Sequence, residues 1–125
     1  MGKRARAFAL LNRFPYTSGH VMIAPTEHVA AYGDLDEDTL LDMSILTQRV
    51  IKAIEATYHP HGFNVGMNLG EAAGAGIADH LHLHVVPRWR GDTNFMPVVG
   101  EVRVLPEDLS ATLDKLARAM EGGSA

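Results

Sequence analysis

Residues 80–87 read HLHLHVVP, with an imidazole at every second position from 80 to 84. A period of two is the period of a β-strand, whose alternate side chains leave opposite faces of a sheet. His80, His82 and His84 then share one face, while Leu81, Leu83 and Val85 turn towards a core. The chain has seven histidines among 125 residues. Core packing gives no reason to set three of them side by side, because exposed strand faces ordinarily carry Thr, Lys or Glu.

The rest of the chain supplies partners for that strand. Residues 7–11 (AFALL) form a short apolar run, ended by a turn-rich stretch holding Asn12, Pro15, Ser18 and Gly19. Residues 20–24 (HVMIA) form a second run, stopped by Pro25, so the two predict a hairpin. Asp36 is placed to cap a helix, with Glu37 and Asp38 in its first turn. Leu40, Met43, Leu46, Val50, Ile54 and Tyr58 follow at helical spacing, up to a stop at Pro60 and Gly62. Phe63, Val65, Met67 and Leu69 alternate with Asn64, Gly66 and Asn68, which predicts a half-buried strand. Residues 70–76 form a small-residue loop and residues 88–100 a second loop. Residues 101–105 are expected to form a short strand. Pro106 is expected to open a last helix over about 106–120, with Leu109, Leu113, Leu116 and Met120 inward. Residues 121–125 should fray.

The order β-β-α-β-β-(β)-α with short connections predicts an α+β fold. Its antiparallel sheet has about five strands, with one long central helix and a C-terminal helix. No repeat, linker or low-complexity segment divides residues 1–125, and 46% apolar composition suits one domain with its own core. The formal net charge of −4 makes a nucleic-acid duplex a poor partner. No apolar run reaches the roughly 20 residues of a membrane span. The basic start is followed by too short an apolar run for a secretory leader, so cytoplasmic residence is the default. Without cysteine, thiolate metal sites and a thiol nucleophile are excluded.

Two chemistries fit three imidazoles on one face. The first is metal binding, since histidine is a common zinc ligand. However, strand rise separates His80 from His84 by about 13 Å, so the three cannot share one ion. Two of them could, with a third ligand from elsewhere, and no Asp or Glu stands at an obvious spacing. The second is nucleophilic catalysis, in which a neutral imidazole attacks an electrophile and its neighbours set its tautomer and protonate the leaving group. His82, flanked on both sides, is the natural nucleophile. The Gly-rich loop before it could present backbone N–H groups to an oxyanion, as suits a phosphorus centre.

The segment His80-Leu81-His82-Leu83-His84-Val85-Val86 resembles the signature of the histidine triad (HIT) superfamily. So, in order, do Phe8 to Pro15, Gly19 to Pro25 with His28, and Gly66-Met67-Asn68-Leu69-Gly70, so that the likeness spans roughly residues 7–105. The resemblance implies hydrolysis or transfer of nucleoside monophosphates through a covalent nucleotidyl-histidine. His82 would attack the α-phosphorus, with the His80 carbonyl holding its far nitrogen. His84 would contact the phosphate or leaving group, and His20 would lie beside the triad and orient it. Asn12 would contact the ribose, and Asn68 the phosphate. Backbone donors around Gly76, Ile77 and Ala78 would meet phosphoryl oxygens. The scheme implies a small nucleotide as substrate, no metal or other cofactor, and a homodimer.

Residues 87–89 (PRW) and 91–95 (GDTNF) resemble bacterial members of the diadenosine-polyphosphate hydrolase and phosphorylase type. The chain departs from the family pattern in three ways. Gly76 and Ile77 stand where Gln and Ser or Thr are common, and Leu83 stands where phosphorylase-type members often carry Gln. The sequence also starts almost at the first hairpin, leaving an edge or groove that a dimer or further residues would cover. A nucleoside phosphoramidase, a weakly catalytic nucleotide-binding module, and a zinc protein using His20 with two triad residues are the alternatives.

Other residues have plainer readings. His28 suits a structural or a catalytic role equally. His59 and His61 read as solvated loop residues. Arg88 and Arg90 fit either phosphate binding or surface ion pairs, and Trp89 reads as packing. Met43, Met67 and Met120 read as core filler.

Overall fold

A computed structural model describes residues 2–11, 19–70, 72, 80–92 and 109–123. Strands β1 (Ala7–Leu11) and β2 (Val21–Pro25) pair antiparallel as the expected hairpin, from Ala7 opposite Pro25 to Leu11 opposite Val21. A short 3-10 turn at Tyr32–Asp34 leads into α1 (Glu37–Tyr58). Strands β3 (Gly62–Gly66) and β4 (Leu83–Arg88) follow, and α2 (Leu109–Gly123) closes the described chain. The sheet order is β1-β2-β4-β3, with every neighbouring pair antiparallel. The α+β class and both helices are as expected. Of about five expected strands, four are described, and the candidate at 101–105 lies outside the described residues.

Helix α1 begins where its cap predicts. The Asp36 side chain accepts the Thr39 N–H at 2.8 Å, satisfying one of the free donors of the first turn. At the other end His59 adopts the left-handed conformation, and its N–H returns to the Glu55 carbonyl. Between these ends Met43, Leu46, Val50, Ala53 and Ile54 are buried. They face Ala7, Ala9, Val21, Ile23 and Val85 of the sheet, and Leu116 of α2 completes the core. Burying a side chain of Leu or Ile size contributes about 1.5–3 kcal/mol, so this layer dominates the fold's stability. No described helix is long and apolar enough to cross a membrane.

Three expectations need correction. Strand β3 stops at Gly66 rather than Leu69, and two members of its predicted inner row, Val65 and Leu69, are 46% and 48% exposed. Strand β4 starts at Leu83 rather than His80. Extending the β2–β4 register would set Leu81 opposite Pro25, which has no N–H for the ladder. The Leu81 N–H turns to the Val29 carbonyl instead. On α2, Leu113 is exposed, and the inward positions are Thr112, Leu116, Ala119 and Met120. The start of α2 before Leu109 lies outside the described residues.

The N-terminal residues, which the sequence marks only as basic, hook over the edge of β1. The Gly2 carbonyl accepts the Ala9 N–H at 2.8 Å, and Lys3 forms an isolated bridge with Phe8. Asp42, on α1, holds this hook: it takes the Arg4 Nε–H at 2.7 Å and the Arg6 N–H at 2.9 Å.

Candidate functional site

Register decides which side chains meet on the sheet face away from α1. Directly opposed residues of antiparallel strands point to the same face. Met22 and Gly66 both oppose His84, so β2 and β3 flank that histidine. His20 immediately precedes β2. Gly19, with φ +86°, makes the sharp entry in a conformation that side chains rarely adopt. A Cβ there would meet Pro87 and the Tyr58 ring only at ordinary contact distance, so the backbone conformation, not crowding, calls for glycine.

His20, His82 and His84 form one contact group. His20 Nε2 lies 2.9 Å from His84 Nδ1, a hydrogen bond with one shared proton between two rings. The rings of His82 and His84 meet edge to face, with centroids 4.8 Å apart. His80 stands apart from this group: its Nε2 lies 2.7 Å from the Pro25 carbonyl oxygen, and its ring meets His28 edge-on. The three triad rings therefore do not form one row, because His80 and His82 precede the ladder of β4.

Two protons are fixed by this geometry. A carbonyl oxygen only accepts, so His80 Nε2 must donate to Pro25. His82 Nδ1 lies 2.9 Å from the His80 carbonyl oxygen and must donate as well. In the neutral ring of His82 the lone pair is then on Nε2, the nitrogen that a nucleophile or a metal ligand would use. Among the described residues, no cluster of three or more His, Asp or Glu side chains is arranged to hold a metal ion.

Burial sets the electrostatics. His20 is 2% exposed. Loss of hydration, followed by the neighbouring His84 and His82, lowers its pKa from 6.5 to about 4. The pKa of His84 is lowered too, by burial first and then by His82. Near neutral pH both rings are uncharged, so the site offers neutral donors and acceptors beside the free Nε2 of His82.

The remaining candidates are distributed as follows. Asn68 is exposed in the segment after β3, while Asn12, Gly76, Ile77 and Ala78 lie outside the described residues. His61 is more than a solvated loop residue, since its Nδ1 accepts the Arg90 N–H at 2.8 Å. Arg88 is engaged by Asp92 through two hydrogen bonds and by Asn64 through a third, so the ion-pair reading describes it. This exposed network pins the chain as it leaves β4. The carbonyls of Pro25 and Val29 hold His80 and the Leu81 N–H, contacts that sequence reasoning missed because an acceptor on the main chain has no residue signature. Pro25, as a strand-ending residue two positions beyond Ile23, was the available clue.

Known proteins resemble this chain in sequence and in fold. An AP-4-A phosphorylase of Mycobacterium tuberculosis is 44% identical over 110 residues, covering 88% of this chain and 56% of that protein. A bis(5'-adenosyl)-triphosphatase of Dictyostelium discoideum is 30% identical over 86 residues, covering 69% of this chain and 57% of that protein. The chain thus spans little more than half the length of these relatives. Among solved structures, a zinc-bound histidine triad family protein of Mycobacterium smegmatis superimposes with a TM-score of 0.77 at 27% identity. That superposition covers 97% of this chain and 82% of that one. The HIT domain family matches residues 1–91, well over half of the sequence, and the chain belongs to that family.

Proposed function

We propose that this chain cleaves dinucleoside polyphosphates at the α-phosphate through a nucleotidyl intermediate on His82. The observation that carries the reading is the 2.9 Å bond from His82 Nδ1 to the His80 carbonyl, which leaves Nε2 as the free nucleophile. The M. tuberculosis and D. discoideum relatives, named for enzymes of bis-adenosyl polyphosphates, support the substrate class.

In this reading the His82 Nε2 lone pair forms a bond to the α-phosphorus, and the bond from that phosphorus to the bridging oxygen breaks. His20 donates to His84 Nδ1, so His84 carries its proton on Nε2 and offers it to the phosphoryl or departing oxygen. The departing polyphosphate leaves with its bonding pair. Water or inorganic phosphate then attacks the same phosphorus as the His82 Nε2–P bond breaks, its proton passes to His84 Nε2, and the bonding pair returns to Nε2 of neutral His82. Asn12 for the ribose, Asn68 for the phosphate and the Gly76, Ile77 and Ala78 backbone for the phosphoryl oxygens belong to the same proposal. The reading also includes a homodimer, supported by exposed apolar side chains at Tyr32, Leu41, Val65 and Leu69.

The test is product analysis with labelled diadenosine tetraphosphate, with and without phosphate. Hydrolysis yields AMP and ATP, and phosphorolysis yields ADP and ATP. His82→Ala is expected to abolish either reaction. Equal turnover by wild type and His82→Ala would remove His82 as the nucleophile.

A further inference from the structure

The carbonyl that sets the His82 tautomer lies outside the strand ladder, so contacts other than strand pairing must hold it. It belongs to the planar peptide unit linking His80 to Leu81. The N–H of that unit donates to the Val29 carbonyl at 2.8 Å. Its C=O accepts from His82 Nδ1 at 2.9 Å. The side chain on its N-terminal side is fixed as well, since His80 Nε2 donates to the Pro25 carbonyl at 2.7 Å. The His28 ring then meets the His80 ring edge to face, at 5.0 Å between centroids and 81° between planes. Pro25 ends β2, and His28 and Val29 lie in the loop that follows it, so one short segment braces the peptide from both ends.

We propose that His28 is a positioning residue for His82: by packing edge-on against His80 it holds the peptide whose carbonyl keeps the His82 proton on Nδ1. The inference rests on His82 being the nucleophile. Without the His28 ring, the His80 imidazole gains rotational freedom and its bond to Pro25 loosens. The peptide plane then tilts away from His82. The opposite tautomer of His82 carries a proton on Nε2, the atom that must attack, and is unreactive. His28 itself touches neither the His82 ring nor the His20–His84 pair, and it needs only a ring edge, not an ionisable nitrogen.

The discriminating variants are His28→Ala, which removes the ring, and His28→Phe, which keeps a ring edge without nitrogen. The measurements, on the full chain, are kcat and KM for diadenosine tetraphosphate and the nitrogen NMR signature of the His82 tautomer. His28→Ala is expected to lower kcat by on the order of tenfold, as misalignment of a reacting group does. It should leave KM within about twofold and put proton density on His82 Nε2. His28→Phe should restore both kcat and the wild-type spectrum. The proposal fails if His28→Ala keeps the wild-type tautomer, whatever its activity, or if His28→Phe is as impaired as His28→Ala. The spectrum requires no substrate. An altered tautomer in His28→Ala, with no turnover even by wild type, would therefore overturn the nucleotide reading and leave the brace standing.

Discussion

His20 shows how one side chain's surroundings become a property of the whole protein. Its folded pKa of about 4 lies below its ordinary 6.5, so between those values the unfolded chain binds the extra proton and the folded chain does not. Stability is therefore fully present above pH 6.5 and falls as the pH drops towards 4. A gap of this size corresponds to about 3 kcal/mol, a substantial share of a domain's total. Asp42 acts in a different window. Its carboxylate is held below its ordinary value of 3.8 by the Arg4 side chain and the Arg6 N–H, so its contribution is lost only as the pH falls below that value. Urea midpoints measured from pH 7 to pH 3 should thus decline in two stages. Replacing His20 with Gln should shrink the first stage, to which the lowered His84 also contributes, and leave the second. A wild-type midpoint constant between pH 6.5 and 4 would show that burial does not depress His20.

At the scale of elements, the contrast within α2 tests which face of the helix is inside. Leu116 is 1% exposed against α1, and Leu113 is 43% exposed. Leu116→Ala should cost about 2–5 kcal/mol, the range for a buried leucine. Leu113→Ala should change stability by no more than about 0.5 kcal/mol, as exposed substitutions do. Chemical denaturation of both variants checks the difference, and equal losses would restore the face read from periodicity. Leu109, Leu113, Leu116 and Met120 describe a plausible apolar stripe, but Thr112 is the residue buried beside Leu116. Spacing alone could not rank a threonine above a leucine.

The same pattern of success and failure runs through the other elements. Helix α1 was legible because its cap, first-turn acids, apolar stripe and stop signals all agree. The β1–β2 hairpin was legible for similar reasons. Strand β3 was misjudged beyond Gly66, since alternation continues through Met67 and Leu69 after the pairing ends. At the site, the alternation of residues 80–87 located the triad and the buried face of Leu81 and Val85. The turn of His80 away from His82 was not legible, because it depends on where a neighbouring proline falls in the register. The N-terminal hook was missed for a related reason: an Arg4–Asp42 pair joins residues far apart in sequence, and no local pattern announces it.

On the scale of the whole molecule, the two faces of the sheet have different fates. The face bearing His84 carries the candidate site. Leu83, between His82 and His84 in sequence, points the other way and lines a pocket of about 260 Å³. Leu40 and Met43 of α1, Val65 of β3, and Met67 and Tyr32 form other walls of the pocket. Tyr32 and Val65 are 45% and 46% exposed, and Leu41 is 56% exposed. Of these, Tyr32 and Val65 line the pocket, and exposed apolar side chains round a pocket are the kind of surface that a partner protein would cover. On the homodimer reading that protein is a second copy, and β3 presents its outer edge beside the patch, among the described residues, for the copy to approach. The expectation is a particle of twice 13.6 kDa by light scattering at micromolar concentration. Val65→Asp sets a charge in the middle of the patch without disturbing the core, so it should yield a folded particle of single mass. A wild-type protein of single mass across that concentration range would remove the second copy as the occupant. A Val65→Asp protein that stays double would move the contact elsewhere on the surface.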